Sequence, residues 1–142
     1  MAAFNKFQDF VEQLGKGVHH LHTAGDTIEC YLSDEQPLVG DTIKTDIAEI
    51  SSENGYPGGI ADIDNDYTET TGTGTMTGTD LVFTASGGGG FGTLQFVVMF
   101  NQTATSPADA LIGWWDYGSS IQILDGETFT VDFGASILTI GP

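Results

Sequence analysis

The sequence contains very little positive charge. Arginine is absent, and three lysines (Lys6, Lys16 and Lys44) stand against 20 aspartates and glutamates, so the formal net charge is −17. Affinity for a nucleic-acid backbone depends on Lys and Arg that displace counterions from the phosphates. We therefore expect no direct nucleic-acid partner, and we expect the acidic surface to repel other acidic surfaces.

Cysteine and long apolar runs are also scarce in this chain of 142 residues. The single cysteine, Cys30, cannot form an intrachain disulfide, so packing or association must stabilise the fold. No apolar run approaches the roughly 18 residues that span a bilayer, and the N-terminus lacks the basic start and apolar core of a signal peptide. These features predict a soluble protein without a membrane partner, made in a reducing cytoplasm.

The first residues contain an apolar repeat that is typical of an amphipathic helix. Gly15 and Gly17 each weaken a helix by about 1 kcal/mol relative to alanine. We therefore place the regular helix at residues 5–14, within an N-terminal helical segment that comprises residues 1–24. Spacings of three and four put the following side chains on one helix face: Phe4, Phe7, Val11, Leu14, Val18 and Leu21.

The rest of the chain, residues 25–142, has the pattern of a single β-domain. From residue 27 the apolar period changes to two, with Ile28, Cys30 and Leu32 on one side of a strand. Further strands are predicted at residues 60–67, 72–78, 81–85, 94–101, 110–116, 121–124, 128–133 and 137–140. Short strands without intervening helices predict a mainly β fold, specifically a jelly-roll-like β-sandwich.

Glycine and proline mark the connections between these strands. Residues 36–59 form a long excursion with one helical turn, and Gly118 and Asp125-Gly126 are predicted turns. The glycine-rich stretch at residues 87–92 lacks the Lys and Ser/Thr of a phosphate-binding loop. We interpret it as a mobile hairpin tip.

His19, His20 and His22 suggest a metal site, because His19 and His22 would share one face of a helix and imidazole suits zinc. Two or three local ligands are too few, and the His-Glu-x-x-His pattern is absent. We therefore predict no metal and no cofactor, and we interpret these residues as a solvated or interfacial turn.

Asp62, Asp64 and Asp66 alternate, so in a strand they would project from one face as oxygen ligands for calcium. An EF-hand is excluded, because Tyr67 stands where the loop needs glycine and Thr73 where it needs glutamate. A solvent-facing acidic strand is the favoured interpretation, and a weak calcium site is the alternative.

The sequence offers no nucleophile, base and acid in a recognisable arrangement. Gly118-Ser119-Ser120 lacks the Gly-x-Ser-x-Gly elbow, and all histidines lie in the N-terminal segment. We therefore predict that the protein is not an enzyme.

The aromatic block around Trp114 and Trp115 is the best candidate for a specific contact. Alternation places the two tryptophans on opposite faces of a strand, so one belongs to the core. The other needs a cover, which is the N-terminal helix, a sugar ring or another subunit. The predicted interface residues are Phe4, Phe7, Val11, Leu14, Trp114, Trp115 and Tyr117.

Four features taken in order resemble the small cement or decoration proteins of tailed-phage capsids. They are residues 3–7 (Ala-Phe-Asn-Lys-Phe), residues 54–59 (Asn-Gly-Tyr, then Gly-Gly), the block at residues 111–120, and residues 126–129 (Gly-Glu-Thr-Phe). The resemblance implies a jelly-roll-like sandwich that self-associates as a dimer or trimer. It also implies binding to the outside of the major capsid protein lattice.

We therefore expect a virion structural protein that is made in the host cytoplasm and stabilises the outer capsid surface. The main alternative is a carbohydrate-binding β-sandwich on a phage tail or virion surface, with an exposed tryptophan and calcium at residues 62–66. A glycan hydrolase is a third hypothesis, since paired carboxylates abound in any chain with 20 acids.

Overall fold

A computed structural model of the protein describes residues 2–58 and 61–141. Within these residues the chain is mainly β, as predicted, with one short α-helix and one turn of 3-10 helix at Lys44–Asp46. The elements are β1 (Asn5–Lys6), α1 (Gln8–Gly15), β2 (Ile28–Ser33), β3 (Ala61–Asp62), β4 (Asp66–Thr70), β5 (Thr73–Thr77), β6 (Leu81–Thr84), β7 (Phe91–Thr105), β8 (Ala108–Ile123), β9 (Thr128–Val131) and β10 (Leu138–Ile140). None of the helices in the described chain is long and apolar enough to cross a membrane.

The main sheet has the strand order β1-β8-β7-β2-β3, and every pairing in it is antiparallel. Its centre is the long hairpin of β7 and β8, whose strands contain 15 and 16 residues. Two smaller sheets have the orders β10-β5-β4 and β6-β9. The jelly-roll connectivity stays a prediction.

The inner face of the main sheet packs against both smaller sheets in one apolar core. Alternation along the strands supplies Cys30, Val97, Met99 and Trp115 from the main sheet. The smaller sheets supply Met76, Phe83, Phe129, Val131 and Leu138 to the same cluster. Burial of this apolar area on folding is the main stabilising term, at about 25 cal/mol per Å².

The outer face of the main sheet carries a second apolar cluster, to which Phe7, just before α1, and Ile47, in the long loop at residues 34–58, contribute. Its members are Phe7, Tyr31, Ile47, Phe96, Val98, Phe100, Leu111 and Trp114. The Tyr31 hydroxyl donates to the Lys44 carbonyl at 3.0 Å and lies 3.1 Å from the Ile47 carbonyl, so it holds the loop on the sheet. The long loop predicted after β2, with its helical turn, therefore packs over the outer face of the main sheet.

The helix begins later than predicted, at Gln8 instead of residue 5. Asn5 and Lys6 form β1 and pair with Trp114 and Gly113, so sheet pairing overrides the helical pattern there. The later start also changes the buried face, because Phe10 is buried while Val11 is 55% exposed. The predicted single stripe through Phe4, Phe7 and Val11 is therefore wrong.

Two predicted turns are also wrong. Strand β8 continues through Gly118, which has a φ of +99°, so the strands predicted at residues 110–116 and 121–124 are one element, although its pairing with β7 shifts register between Asp116 and Ile121. Residues 87–92 do not form a hairpin tip, because β6 pairs with β9 while β7 pairs with β8 and β2. They connect two different sheets.

Candidate interaction surfaces

The two tryptophans lie on opposite faces of the main sheet, as alternation predicts, and the N-terminal segment covers both. The ring of Trp114 lies 4.5 Å from that of Phe7, and the ring of Trp115 lies 5.1 Å from that of Phe4. Trp114 and Trp115 are 9% and 8% exposed, and Phe7 is 1% exposed. These three predicted interface residues therefore lie within the chain's own core and are not accessible to a partner in this structure.

The remaining predicted interface residues divide into two groups. Phe4 and Leu14 are partly buried against the inner core. Val11 and Tyr117 are 55% and 58% exposed and lie on two different surfaces. Val11 and Tyr117 are therefore the accessible residues among the predicted ones, and each belongs to a different surface.

The first surface, which we call the helix patch, consists of Val11, Leu38 and Val39. Leu38 and Val39 are 64% and 47% exposed. The Gln8 N–H donates to the Val39 carbonyl at 3.0 Å, which places this loop against the first turn of α1, one turn before Val11. The Asp41 carboxylate accepts the Leu38 N–H at 2.8 Å and keeps the loop tightly turned. Two adjacent apolar residues after Pro37, with polar residues on both sides of Pro37-Leu38-Val39, are the sequence signal for this patch.

The second surface, which we call the aromatic cleft, is a cavity of about 320 Å³ between β8 and β9. The Tyr117 ring stands at its side, 5.9 Å from the ring of Phe129. The cleft is lined by Ala2, Val97, Trp115, Tyr117, Phe129, Thr130, Val131 and Asp132. Phe129 and Asp132 were missed as site residues, because nothing in the sequence pattern indicates that β9 faces the end of β8.

The ammonium group of Lys44 contacts two aromatic rings and a carboxylate. Lys44 Nζ lies 5.3 Å from the centre of the Tyr31 ring and 5.2 Å from that of Phe100, and it contacts Glu49 Oε2 at 3.1 Å. The ammonium group thus combines cation–π contacts with an ion pair on the outer face of the sheet.

The three histidines do not form a common site. The His19 ring is 5% exposed and packs on Phe10, whereas His20 and His22 are exposed. Burial lowers the pKa of His19 to about 4, more strongly than the nearby carboxylates of Asp26 and Asp9 raise it. His19 is therefore a neutral core residue at pH 7.

The three alternating aspartates also separate, because residues 63–65 interrupt the predicted strand and Asp64 has a φ of +48°. Residue 60, where that strand was predicted to begin, lies outside the described residues. Asp62 Oδ1 accepts the Asp64 N–H, and Asp66 Oδ1 accepts the Thr23 hydroxyl at 2.6 Å. The hydrogen bond from the Thr23 hydroxyl, followed by the backbone N–H of Tyr67, holds the pKa of Asp66 below its ordinary value. Among the described residues, no group of three or more His, Cys, Asp or Glu side chains is placed to hold a metal ion.

Ser120, in the aromatic block, forms a side-chain hydrogen bond with Asp34. Its hydroxyl donates to Asp34 Oδ1 at 2.8 Å, and the Thr93 hydroxyl donates to the other oxygen of that carboxylate. Asp34 therefore links the end of β2 to β7 and β8.

Comparison with protein-family models, with curated proteins and with solved structures gave no match for this chain.

Proposed function

We propose that this protein is a virion structural protein of the capsid cement class, which binds the outside of the major capsid lattice and stabilises it. The observation that carries the proposal is the helix patch, in which α1 and the loop bonded to its first turn expose Val11, Leu38 and Val39. Exposed apolar side chains on an acidic protein favour contact with another protein, because each gains about 25 cal/mol per Å² when covered.

The construction of the sandwich suits a reinforcing role. Both faces of the main sheet are covered by apolar clusters, so the long hairpin of β7 and β8 cannot bend without disturbing close-packed side chains. The N-terminal segment that carries Val11 is tied to this hairpin through β1 and through the Phe7 N–H bond to the Ile112 carbonyl. A force applied at the helix patch would therefore be transmitted to the hairpin of β7 and β8.

A repeating lattice compensates for a small contact area. When one particle presents many identical sites, weak contacts by associated copies of this chain, as a dimer or trimer, combine into tight attachment. The net charge of −17 keeps free subunits apart before assembly and favours a basic partner surface on the capsid protein.

The direct test is to add the purified protein to undecorated capsid shells of the tailed phage that encodes it and to measure shell melting by calorimetry. We expect a higher melting temperature, and we expect the double variant Val11→Ser/Leu38→Ser to lose both binding and the increase. Val82→Ser is the matched control, because Val82 is 60% exposed but lies on β6. Binding without any gain in melting temperature would refute the reinforcing role.

Carbohydrate binding is the second candidate, and the exposed Tyr117 ring at the aromatic cleft is the observation that favours it. Aromatic ring faces can stack on sugar rings, although both tryptophans are buried by the N-terminal segment. A glycan array probed with and without calcium tests this candidate, and the absence of any binder would remove it.

A further inference from the structure

The aromatic cleft contains the same kinds of side chain as the surroundings of Lys44, namely aromatic rings and a carboxylate. Around Lys44 they are the rings of Tyr31 and Phe100 and the carboxylate of Glu49. In the cleft they are the rings of Tyr117, Phe129 and Trp115 and the carboxylate of Asp132. The described lining of the cleft includes no Lys, Arg or His. The cleft thus presents a cation-binding arrangement to a group that must come from elsewhere.

The chain's own N-terminal residues border the cleft. Strand β8 pairs with β1 at Gly113 and Trp114, Phe4 then packs on Trp115, and Ala2 lines the cleft. Between Asp116 and Ile121 the pairing of β8 with β7 shifts register. This part of β8 is therefore suited to receive a single side chain of a partner and not a paired strand.

Charge determines which side chain fits. The whole chain carries −17 and Asp132 adds a local carboxylate, so a cationic side chain gains both a long-range and a short-range attraction. Arginine suits the site better than lysine, because its planar guanidinium group can stack on an aromatic ring and donate to a carboxylate simultaneously.

A second copy of this chain is a poor source of that cation. The sequence has no arginine, and two of its three lysines are paired, Lys16 with Glu12 and Lys44 with Glu49. The exposed Lys6 is the remaining lysine that a second copy could offer, and it lacks the planar group that suits the cleft. We propose that the aromatic cleft binds an arginine side chain of a different protein. This inference does not depend on whether that protein is a capsid protein.

The probe is a short capped peptide, Thr-Val-Arg-Val-Thr, with two controls that replace the central arginine by leucine or by glutamate. Binding is followed by NMR chemical shifts of the Trp115 indole N–H and of the Tyr117 and Gly118 amides. We expect the arginine peptide to shift these signals and to bind about fivefold more tightly than the leucine peptide, the upper range for one exposed ion pair. The difference should shrink at high salt.

Substitutions at two positions separate the contribution of the Asp132 charge to binding from that of the Tyr117 ring. Asp132→Asn keeps the oxygen that accepts the Gly134 N–H, so it removes charge without breaking that turn. Asp64→Asn is its matched control, because Asp64 is exposed between β3 and β4 and asparagine tolerates its positive φ. Tyr117→Phe should retain binding, whereas Tyr117→Leu should weaken it about two- to fivefold through loss of the cation–π contact.

Several outcomes would overturn the proposal. Equal affinity for the arginine, leucine and glutamate peptides would show that the cleft does not select a cation. Equal loss of affinity in Asp132→Asn and Asp64→Asn would reduce the effect to net charge. Shifts of the same signals with protein concentration alone would assign the cleft to a second copy, and shifts with neutral oligosaccharides in place of the arginine peptide would assign it to carbohydrate.

Discussion

Asn101 Nδ2 lies 3.1 Å from His19 Nδ1, and this contact determines where the buried imidazole carries its proton. Asn101 Oδ1 accepts the backbone N–H groups of Thr103 and Ala104, so the amide nitrogen must face His19 and Asp26. An N–H donor on that side leaves His19 Nδ1 as the acceptor and puts the proton on Nε2. That Nε2 is buried without a hydrogen-bond partner in the described residues.

The first prediction concerns pH. Because burial lowers the pKa of His19 to about 4, below its ordinary 6.5, the unfolded state binds more protons than the folded state between these values. The stability contributed by neutral His19 is therefore complete above pH 6.5 and is lost progressively down to pH 4, by about 3 kcal/mol at most. Urea unfolding at pH 7.5, 5.5 and 4.5 measures this loss.

The control for that prediction is a histidine that is not buried. His19→Gln should flatten the pH dependence, and His22→Gln, at an exposed position, is the comparison variant that keeps His19. The pKa of Asp26 is lowered, mainly by hydrogen bonds from His20 and Asn101 that outweigh its desolvation, so its contribution is lost below pH 3.8, outside this window. An unchanged slope in His19→Gln would contradict the assignment.

The second prediction concerns Glu29, a carboxylate on the outer face of β2 that has no partner for Oε2 in the described residues. Desolvation raises its pKa first, and the neighbouring Asp62 raises it further. An acid with a raised pKa destabilises the fold above its unfolded pKa, so Glu29→Gln should stabilise the protein at pH 7 by on the order of 1 kcal/mol. Urea unfolding measures the gain.

A change in net charge alone must be separated from this local effect. Glu53→Gln changes the net charge by the same amount at an exposed loop position, so it should leave the urea midpoint nearly unchanged. The gain in Glu29→Gln should also shrink as the pH falls through the raised pKa of Glu29 towards the ordinary value of 4.5. Equal gains in both variants would disprove the role of burial at Glu29.

The third prediction concerns Cys30, which is fully buried in the inner core. Desolvation raises the pKa of its thiol far above the ordinary value, and the thiolate is the reactive form. A thiol reagent such as Ellman's reagent should therefore leave the native protein unmodified and label it once in urea. Rapid labelling of the native protein at pH 8 would show that the core opens.

The sequence predicts the fold well where one residue pattern acts alone and poorly where two compete. The period of two around Cys30 and the opposite placement of Trp114 and Trp115 follow from local alternation, and both are confirmed. The start of α1 does not follow, because the helical repeat through Phe7 competes with pairing of β1 to β8. The aromatic cleft could not be predicted, because Phe129 reaches Tyr117 through the packing of two sheets, which no local pattern encodes.

The last prediction concerns Gly113, where the N-terminal segment crosses the main sheet. A Cβ at this position would overlap the Phe4 ring and lie 2.6 Å from the Asn5 carbonyl oxygen, so a methyl group must displace β1. Gly113→Ala should therefore remove the Phe4 cover from Trp115 and destabilise the fold by about 2 kcal/mol or more. Gly15→Ala is the opposite case, since nothing lies within 4 Å of a Cβ there, and it should stabilise α1 by up to about 1 kcal/mol. Limited proteolysis and urea unfolding should show early cleavage near residue 7 in Gly113→Ala alone, and wild-type resistance in that variant would mean that β1 does not hold the N-terminus on the sheet.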